Sequence, residues 1–399
     1  MIKSLKRYHV TLKTLSPVHI GWGEVVNKKE YIYDRHKGIL YYPDLRDMLG
    51  SLRVKQLTEK YEKFMLEKSG DLFSFLSKNN VSWSEWRGNS IPVFGDVNNT
   101  LNKIHTFVKD PFGLPYVPGS SVKGAFRTII LNHETTSRRS NGAPVMSSVS
   151  EAKDARQIEF KLLSSIARHY KIKGKMDSKR IEAEVLNSLN RLNHNGKNRS
   201  NAVNDIMAAF SYSDSEPIPK NSLIICQKID AAPISKNCEV REWSTFRECL
   251  KPETEISLTV TVDRELLKKT LNNDMFEREL YEPQGNKEDK MPVFLNWLRE
   301  FNIAYTGEYR NYFTDMEPIL PTVIYIGGGT GFLTKTMLLG LLDRDQRLRY
   351  TSAYLNKRFR THKHFEDIKL GVSPHIMKLT KFNGKFYEMG KCTIDITEF

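Results

Sequence analysis

The sequence predicts an α+β protein, from three observations. Short stretches of period-two alternation recur along the chain and are followed by helix openers. Pro-Gly and glycine-rich turns punctuate the junctions. A hydrophobic fraction of 39% with 11% aromatics supplies enough apolar surface for a core.

The elements follow in order. Tyr8–Leu15 alternates with period two and reads as a strand ended by Ser16-Pro17. Glu30–Asp34 and Gly38–Tyr42 read as a hairpin about the turn Arg35-His36-Lys37. Pro43 breaks that hairpin and Asp44 caps a helix with Leu45, Met48, Leu49 and Leu52 on one face. A charged helical stretch continues to Leu76. Pro115–Ser121 is a turn leading into a helix over Val122–Asn132. Residues 133–156, rich in Ser, Thr, Asn and Arg, read as a mobile loop. Basic amphipathic helices are expected over 157–192 and a polar loop over His194–Asn201. Asn221–Ile229 and Glu255–Val262 read as strands, with 230–250 as an excursion from the core. Val323–Ile326 runs as a strand into a glycine loop, followed by a helix over Thr334–Leu342. Lys391–Ile396 is the last strand.

The 399 residues carry 61 Lys and Arg against 47 Asp and Glu, a net charge of +14. Such a surplus favours a polyanionic partner, nucleic acid or an anionic membrane. No run of about 18 apolar residues is present, and the basic N-terminus lacks the apolar core of a signal peptide. The four cysteines form no CxxC pair, which argues against a zinc knuckle or disulfide frame and for a reducing cytoplasm. No cofactor is expected.

Three segments carry candidate chemistry. In Ser16-Pro17-Val18-His19-Ile20-Gly21-Trp22-Gly23, the glycines let the backbone turn beside an aromatic. His19 would hydrogen-bond a phosphate or 2′-OH, or else is a buried histidine closing the turn. In Val117-Pro118-Gly119-Ser120-Ser121-Val122-Lys123-Gly124-Ala125-Phe126-Arg127, a helix N-terminus with two hydroxyls suits an anion, and Lys123 and Arg127 stand one turn apart. The alternative there is an ordinary capped helix with solvated cations. Gly327-Gly328-Gly329-Thr330-Gly331-Phe332 lacks the Gly-Lys-Ser/Thr of a nucleotide-hydrolysing loop. Its N–H groups would still cradle a sugar-phosphate backbone, with Lys335 adding charge. His362 and His364 offer two imidazoles but no third ligand at metal-site spacing, and read as solvated basic surface.

SPVHIG at 16–21, YVPGSSVKGAFR at 116–127 and GGGTGF at 327–332 together resemble, in the same order, the RAMP superfamily of CRISPR proteins. Within it, residues 30–34 with 40–45, residues 210–217 and residues 327–336 are similar to the subunit that caps the 3′ end of the guide RNA (crRNA) in type III-A (Csm) effector complexes. The resemblance is thin over 133–200. It implies tandem ferredoxin-like (RRM-type) modules with a helical insertion and a thumb-like β-hairpin. The implied division is 1–132, with a helical insertion at 44–90; a basic helical insertion at 133–204; and 205–399, with the thumb-like segment at 230–250 and the glycine loop at 327–332. It further implies a structural subunit with crRNA and the other Csm subunits, the backbone RAMP subunit above all, as partners. His19, Gly21, Trp22, Gly119, Ser120, Ser121, Lys123, Arg127, Gly327, Gly328, Gly329, Gly331, Phe332 and Lys335 are the candidate RNA contacts, with Trp22 or Phe332 stacking a base. The family's backbone subunits cut target RNA with an aspartate soon after the HIG turn. Residues 21–28 contain none, so no catalytic residue is assigned. The competing expectation is a guide-processing endoribonuclease with His19 as general base and Lys123 or Arg127 stabilising charge.

Overall fold

The computed structural model describes residues 5–83, 86–95, 101–140, 178–189, 202–237, 239–267, 283–284, 291–313, 320 and 322–399. Most of the expected basic insertion, 141–177 and 190–201, therefore lies outside the described residues.

The chain forms a mixed α+β fold around two larger sheets. The N-terminal half supplies β1 (Leu5–Thr14), β2 (Gly21–Val26), β3 (Ile32–Asp34) and β4 (Ile39–Pro43), then helices α1 (Leu45–Val54), α2 (Thr58–Leu66) and α3 (Leu72–Lys78). β5 (Arg87–Phe94), β6 (Lys103–Phe107), α4 (Gly119–Ser140) and α5 (Ser178–Leu186) follow. The second half holds β7 (Phe210–Tyr212), β8 (Leu223–Ala231), β9 (Val240–Leu250), β10 (Glu255–Asp263), the two-residue pair β11 (Pro283–Gln284) and β12 (Met291–Pro292), and α6 (Val293–Glu308). It closes with β13 (Val323–Tyr325), α7 (Arg344–Arg358), β14 (Met377–Phe382), β15 (Lys385–Glu388) and β16 (Lys391–Glu398).

The first sheet is antiparallel in the order β13-β16-β1-β10-β7. β1 is central because its alternation buries Tyr8, Val10, Leu12 and Thr14 on one face, matched by Ile256, Leu258, Val260 and Val262 across the β10 ladder. α4 joins the same core: Phe126 stacks on Phe294 of α6 at 4.1 Å between ring centroids and meets Tyr212 edge-on. The second sheet runs β2-β6-β9-β8-β5-β4-β3, with β14 also paired to β8 and β15 to β14. Its β5–β8 and β6–β9 pairings are parallel. Helices α1–α3 build their own small core of Met48, Leu52, Phe64, Phe75, Leu76 and Trp86 against Ile32 and Tyr41. Asp44 caps α1 as expected, accepting from the N–H groups of Arg46 and Asp47.

Three local expectations are corrected. α4 does not stop at Asn132 but continues to Ser140. Thr, Ser and Asn disfavour a helix locally, yet here they are held by packing. The Asn132 side chain accepts from Gly340 N–H and donates to the Thr336 carbonyl, both at the far end of the chain. Thr334–Leu342 is not one helix. A 3-10 turn over Leu333–Lys335 and a short helical turn over Leu338–Leu341 flank an extended Thr336, whose carbonyl is the one bound by Asn132. The 230–250 segment is no excursion along its whole length. β9 pairs with β8 from Leu250 to Val240, and Phe246, Glu248, Cys249 and Leu250 are buried, so only its distal end stands clear of the sheet.

Candidate nucleic-acid interface

The glycine loop closes over the SPVHIG turn. Gly328 N–H donates to the His19 carbonyl at 2.6 Å. Gly327 and Gly329 have φ of +77° and +85°, and a Cβ at either would collide, with the His19 carbonyl oxygen and the Met389 sulfur respectively. The two sequence-distant motifs are therefore one structural unit.

His19 is 6% exposed. Its Nδ1–H donates to the Glu248 carbonyl at 2.7 Å, and a Cβ on Gly21 would strike its Nε2. Burial, with the positive charges of Arg247, His105 and Lys335 nearby, lowers its pKa to about 4 despite that hydrogen bond. The ring is thus a neutral spacer beneath the loop. This matches the buried, turn-closing alternative offered by the sequence more closely than a phosphate ligand or a general base.

The Pro-Gly helix start is also engaged internally. Gly119 N–H donates to the Asp214 carboxylate at 2.8 Å, so a protein carboxylate occupies the anion-favouring end of α4. A Cβ at Gly119 would strike the Ser213 and Tyr212 carbonyl oxygens, so this glycine is required by backbone packing. Lys123 donates to the Phe210 carbonyl at 2.9 Å. Arg127 reaches Asp205 at 2.5 Å and Glu182 at 3.2 Å. Lys123 and Arg127 are half-buried cross-links between α4, α5, Asp205 and the start of β7, rather than the solvated cations of the alternative reading. Of the candidate contacts Gly119, Ser120, Ser121, Lys123 and Arg127, only Ser120 is exposed. Arg127 found its carboxylates from 55 and 78 positions away, which local spacing cannot disclose.

Trp22 has the opposite character. Its ring is 58% exposed while its Nε1–H donates to Thr106 Oγ1 at 2.9 Å, which orients the indole without hiding it. Phe332 is half-buried and stacks toward Tyr354 at 6.1 Å. Lys335 is exposed at the loop's end. Partial desolvation and the charge of Arg247 lower its pKa. A Cβ added at Gly331 would meet nothing nearer than Thr334 Oγ1 at 4.0 Å.

One residue the sequence reading missed joins these groups. Arg247 on β9 lies opposite His105 of β6 and Cys226 of β8. It sits directly under the glycine loop: a Cβ on Gly329 would lie 3.0 Å from its Nη1. Among the described residues it has no carboxylate in salt-bridge range, and its Nη1 touches only the Met389 sulfur at 3.5 Å. Asp230 is committed to Trp243 and Lys378. Desolvation lowers the Arg247 pKa. A partly buried guanidinium without a counter-ion is costly to maintain and suits an external anion. Lys228, on the neighbouring strand, lies 4.8 Å over the Trp243 ring, and Arg241 4.1 Å from it, near the hairpin's distal end. His105, Arg247, Lys228, Lys335 and the glycine loop thus lie together on one side of the second sheet, while Trp22, bonded to Thr106 next to His105, stands on the edge strand β2.

A model of the RAMP superfamily matches residues 11–332. The chain belongs to the RAMP superfamily. Among curated proteins it is similar to the CRISPR system Cms protein Csm5 of Mycobacterium tuberculosis, at 28% identity over 98% of both chains, and of Streptococcus thermophilus, at 27% over 100% of this chain and 99% of the relative. The Enterococcus italicus Csm5 is 24% identical over 98% of this chain and 97% of the relative. Its fold is similar to a chain in the cryo-EM structure of a Csm-crRNA-target RNA ternary complex of a type III-A CRISPR-Cas system (TM-score 0.61, 20% identity, 98% of this chain and 100% of that one). It is also similar to the crystal structure of T. onnurineus Csm5 (TM-score 0.55, 18% identity, 96% and 99% covered). Among the described residues, no helix of this RAMP protein is long and apolar enough to cross a membrane.

Proposed function

We propose that this RAMP protein is an RNA-binding structural subunit of a type III-A CRISPR effector complex. In that role it caps the 3′ end of crRNA and supports assembly and guide maturation in the cytoplasm. Full-length similarity to proteins named Csm5 supports the complex, and the observation that carries the RNA role is the desolvated Arg247 under the glycine loop, which among the described residues has no carboxylate in salt-bridge range. Guide phosphates would cross the second sheet between Arg247, Lys335 and the loop N–H groups, with Trp22 stacking a base. Such contacts hold any sequence, because phosphates carry none. The helix start at Gly119–Arg127 acts as the brace that fixes this face.

In this reading the two sheets are the tandem RRM-type modules, α1–α3 the helical insertion within 44–90, and the distal β8–β9 hairpin the thumb within 230–250. Residues 1–132, 133–204 and 205–399 are the corresponding parts. crRNA and the backbone RAMP subunit are its neighbours. The test is guide-length sequencing from complexes assembled with and without the protein, beside a cleavage assay on the isolated chain. A frayed or shortened guide 3′ end without it, and no scission by it alone, is expected. Specific scission by the pure chain would instead favour a guide-processing endoribonuclease.

A further inference from the structure

We propose that His364, Asp367 and His375 form a binding site for one divalent transition-metal ion of the zinc class. The cluster lies in the segment that joins α7 to β14, and the proposal is independent of the RNA reading. The sequence leaves His364 without a third ligand at close spacing because His375 follows only after a ten-residue interval that includes Pro374. The fold closes that interval.

His364 is 4% exposed and Asp367 fully buried, with His375 at the edge. His364 Nδ1 lies 3.1 Å from Asp367 Oδ2, and His375 Nδ1 lies 2.5 Å from Oδ1. The three ligand atoms all lie within 4.8 Å of one another. Zn–N and Zn–O bonds of about 2.0–2.1 Å at tetrahedral angles separate ligand atoms by about 3.4 Å. An ion therefore fits after the carboxylate parts from each ring by less than about 1 Å and the two imidazoles, at most 4.8 Å apart at their ligand atoms, draw together toward the same spacing, a rotamer-scale adjustment. Two imidazoles and one carboxylate select zinc, cobalt, nickel or iron over magnesium and calcium, which prefer all-oxygen sites.

The surroundings are those of a supported ligand set. Ser373 Oγ donates to Asp367 Oδ2 at 2.6 Å, and the Ser352 hydroxyl of α7 holds the His364 carbonyl at 2.6 Å. The Asp367 carboxylate pKa is lowered by its hydrogen bonds to both histidines and Ser373, against desolvation. The fourth position would go to water at the half-buried His375 edge. The ion would tie the turn after α7 to the entry of β14, the strand that pairs with the RNA-facing β8.

The test uses untagged full-length protein, stripped with a chelator and dialysed. Zinc is titrated calorimetrically and cobalt by visible absorption. One zinc per chain, cobalt d–d bands and a raised melting temperature with zinc are expected. His375→Gln retains a side chain able to hydrogen-bond Asp367 but loses a ligand. It should weaken zinc binding more than about a hundredfold while its circular dichroism stays native. His375→Cys, which offers a thiolate, should restore binding. Wild-type protein that takes up no zinc would overturn the proposal, leaving a hydrogen-bonded triad only. So would equal stoichiometry and affinity in His375→Gln, which would place the ion elsewhere.

Discussion

Replacing Arg247 with methionine should move stability and RNA affinity in opposite directions. The guanidinium projects between His105 and Cys226 toward a small apolar group of Ile224, Cys226, Cys249 and Met389. Methionine fills a similar length without a charge to desolvate. Exchanging a partly buried charge, with no carboxylate in salt-bridge range among the described residues, for a packed apolar side chain should stabilise the free protein by about 1–2 kcal/mol. At this chain length that is a rise in melting temperature of a few degrees. Losing a charge-assisted phosphate contact should cost about 1.5–3 kcal/mol of binding, or roughly 10- to 150-fold in Kd. One fewer neutralised phosphate should also flatten the slope of log K against log salt by about 0.7 for a single strand. Anisotropy with unstructured single-stranded RNA across a salt series reads the affinity, and circular dichroism reads the melting. A lower melting temperature with unchanged affinity would refute the reasoning, because Arg247 would then be a packing residue.

Arg127→Ala should act on stability instead. It removes partly screened ion pairs to Asp205 and Glu182, whose side chains are 20% and 32% exposed, so the cost is about 1–2 kcal/mol and shrinks in high salt. RNA affinity per folded molecule should hold; a tenfold loss at native melting temperature would return Arg127 to the RNA site. His19 should make the fold acid-sensitive. Its pKa is about 4 folded against 6.5 in the unfolded chain, so the unfolded state takes up the proton first. Stability is full above about pH 6.5 and declines below it, by up to about 3 kcal/mol near pH 4. Urea midpoints at several pH values should fall less steeply for His19→Gln than for wild type, and parallel slopes would sink the assignment.

Much of the site's location was legible locally. The glycines at 327 and 329 and the turn at 16–23 announce unusual backbone, and the structure joins them through the Gly328–His19 bridge. The chemistry was less legible. Lys123 and Arg127 look like a phosphate clamp because their spacing is visible while Asp205, Glu182 and the Phe210 carbonyl are far away in sequence. Arg247 escaped because a strand arginine is unremarkable until its surroundings prove to hold no carboxylate in salt-bridge range among the described residues. The only sequence signal was a charged pair, Arg247-Glu248, between Phe246 and Cys249 in an otherwise apolar strand end.

By itself the sequence determined what depends on neighbours along the chain: the alternation that makes β1 and β10 strands, the Asp44 cap, and the family motifs in their order. Tertiary structure decided which charged groups are spent within the protein and which are left over. It extended α4 through Thr135 and Ser137 by clasping Asn132 onto Gly340, buried His19, and brought His375 back to His364 and Asp367. The reason is range. Propensity and turn chemistry act over a few residues, whereas desolvation and ion pairing depend on whichever distant segments the fold packs against a side chain.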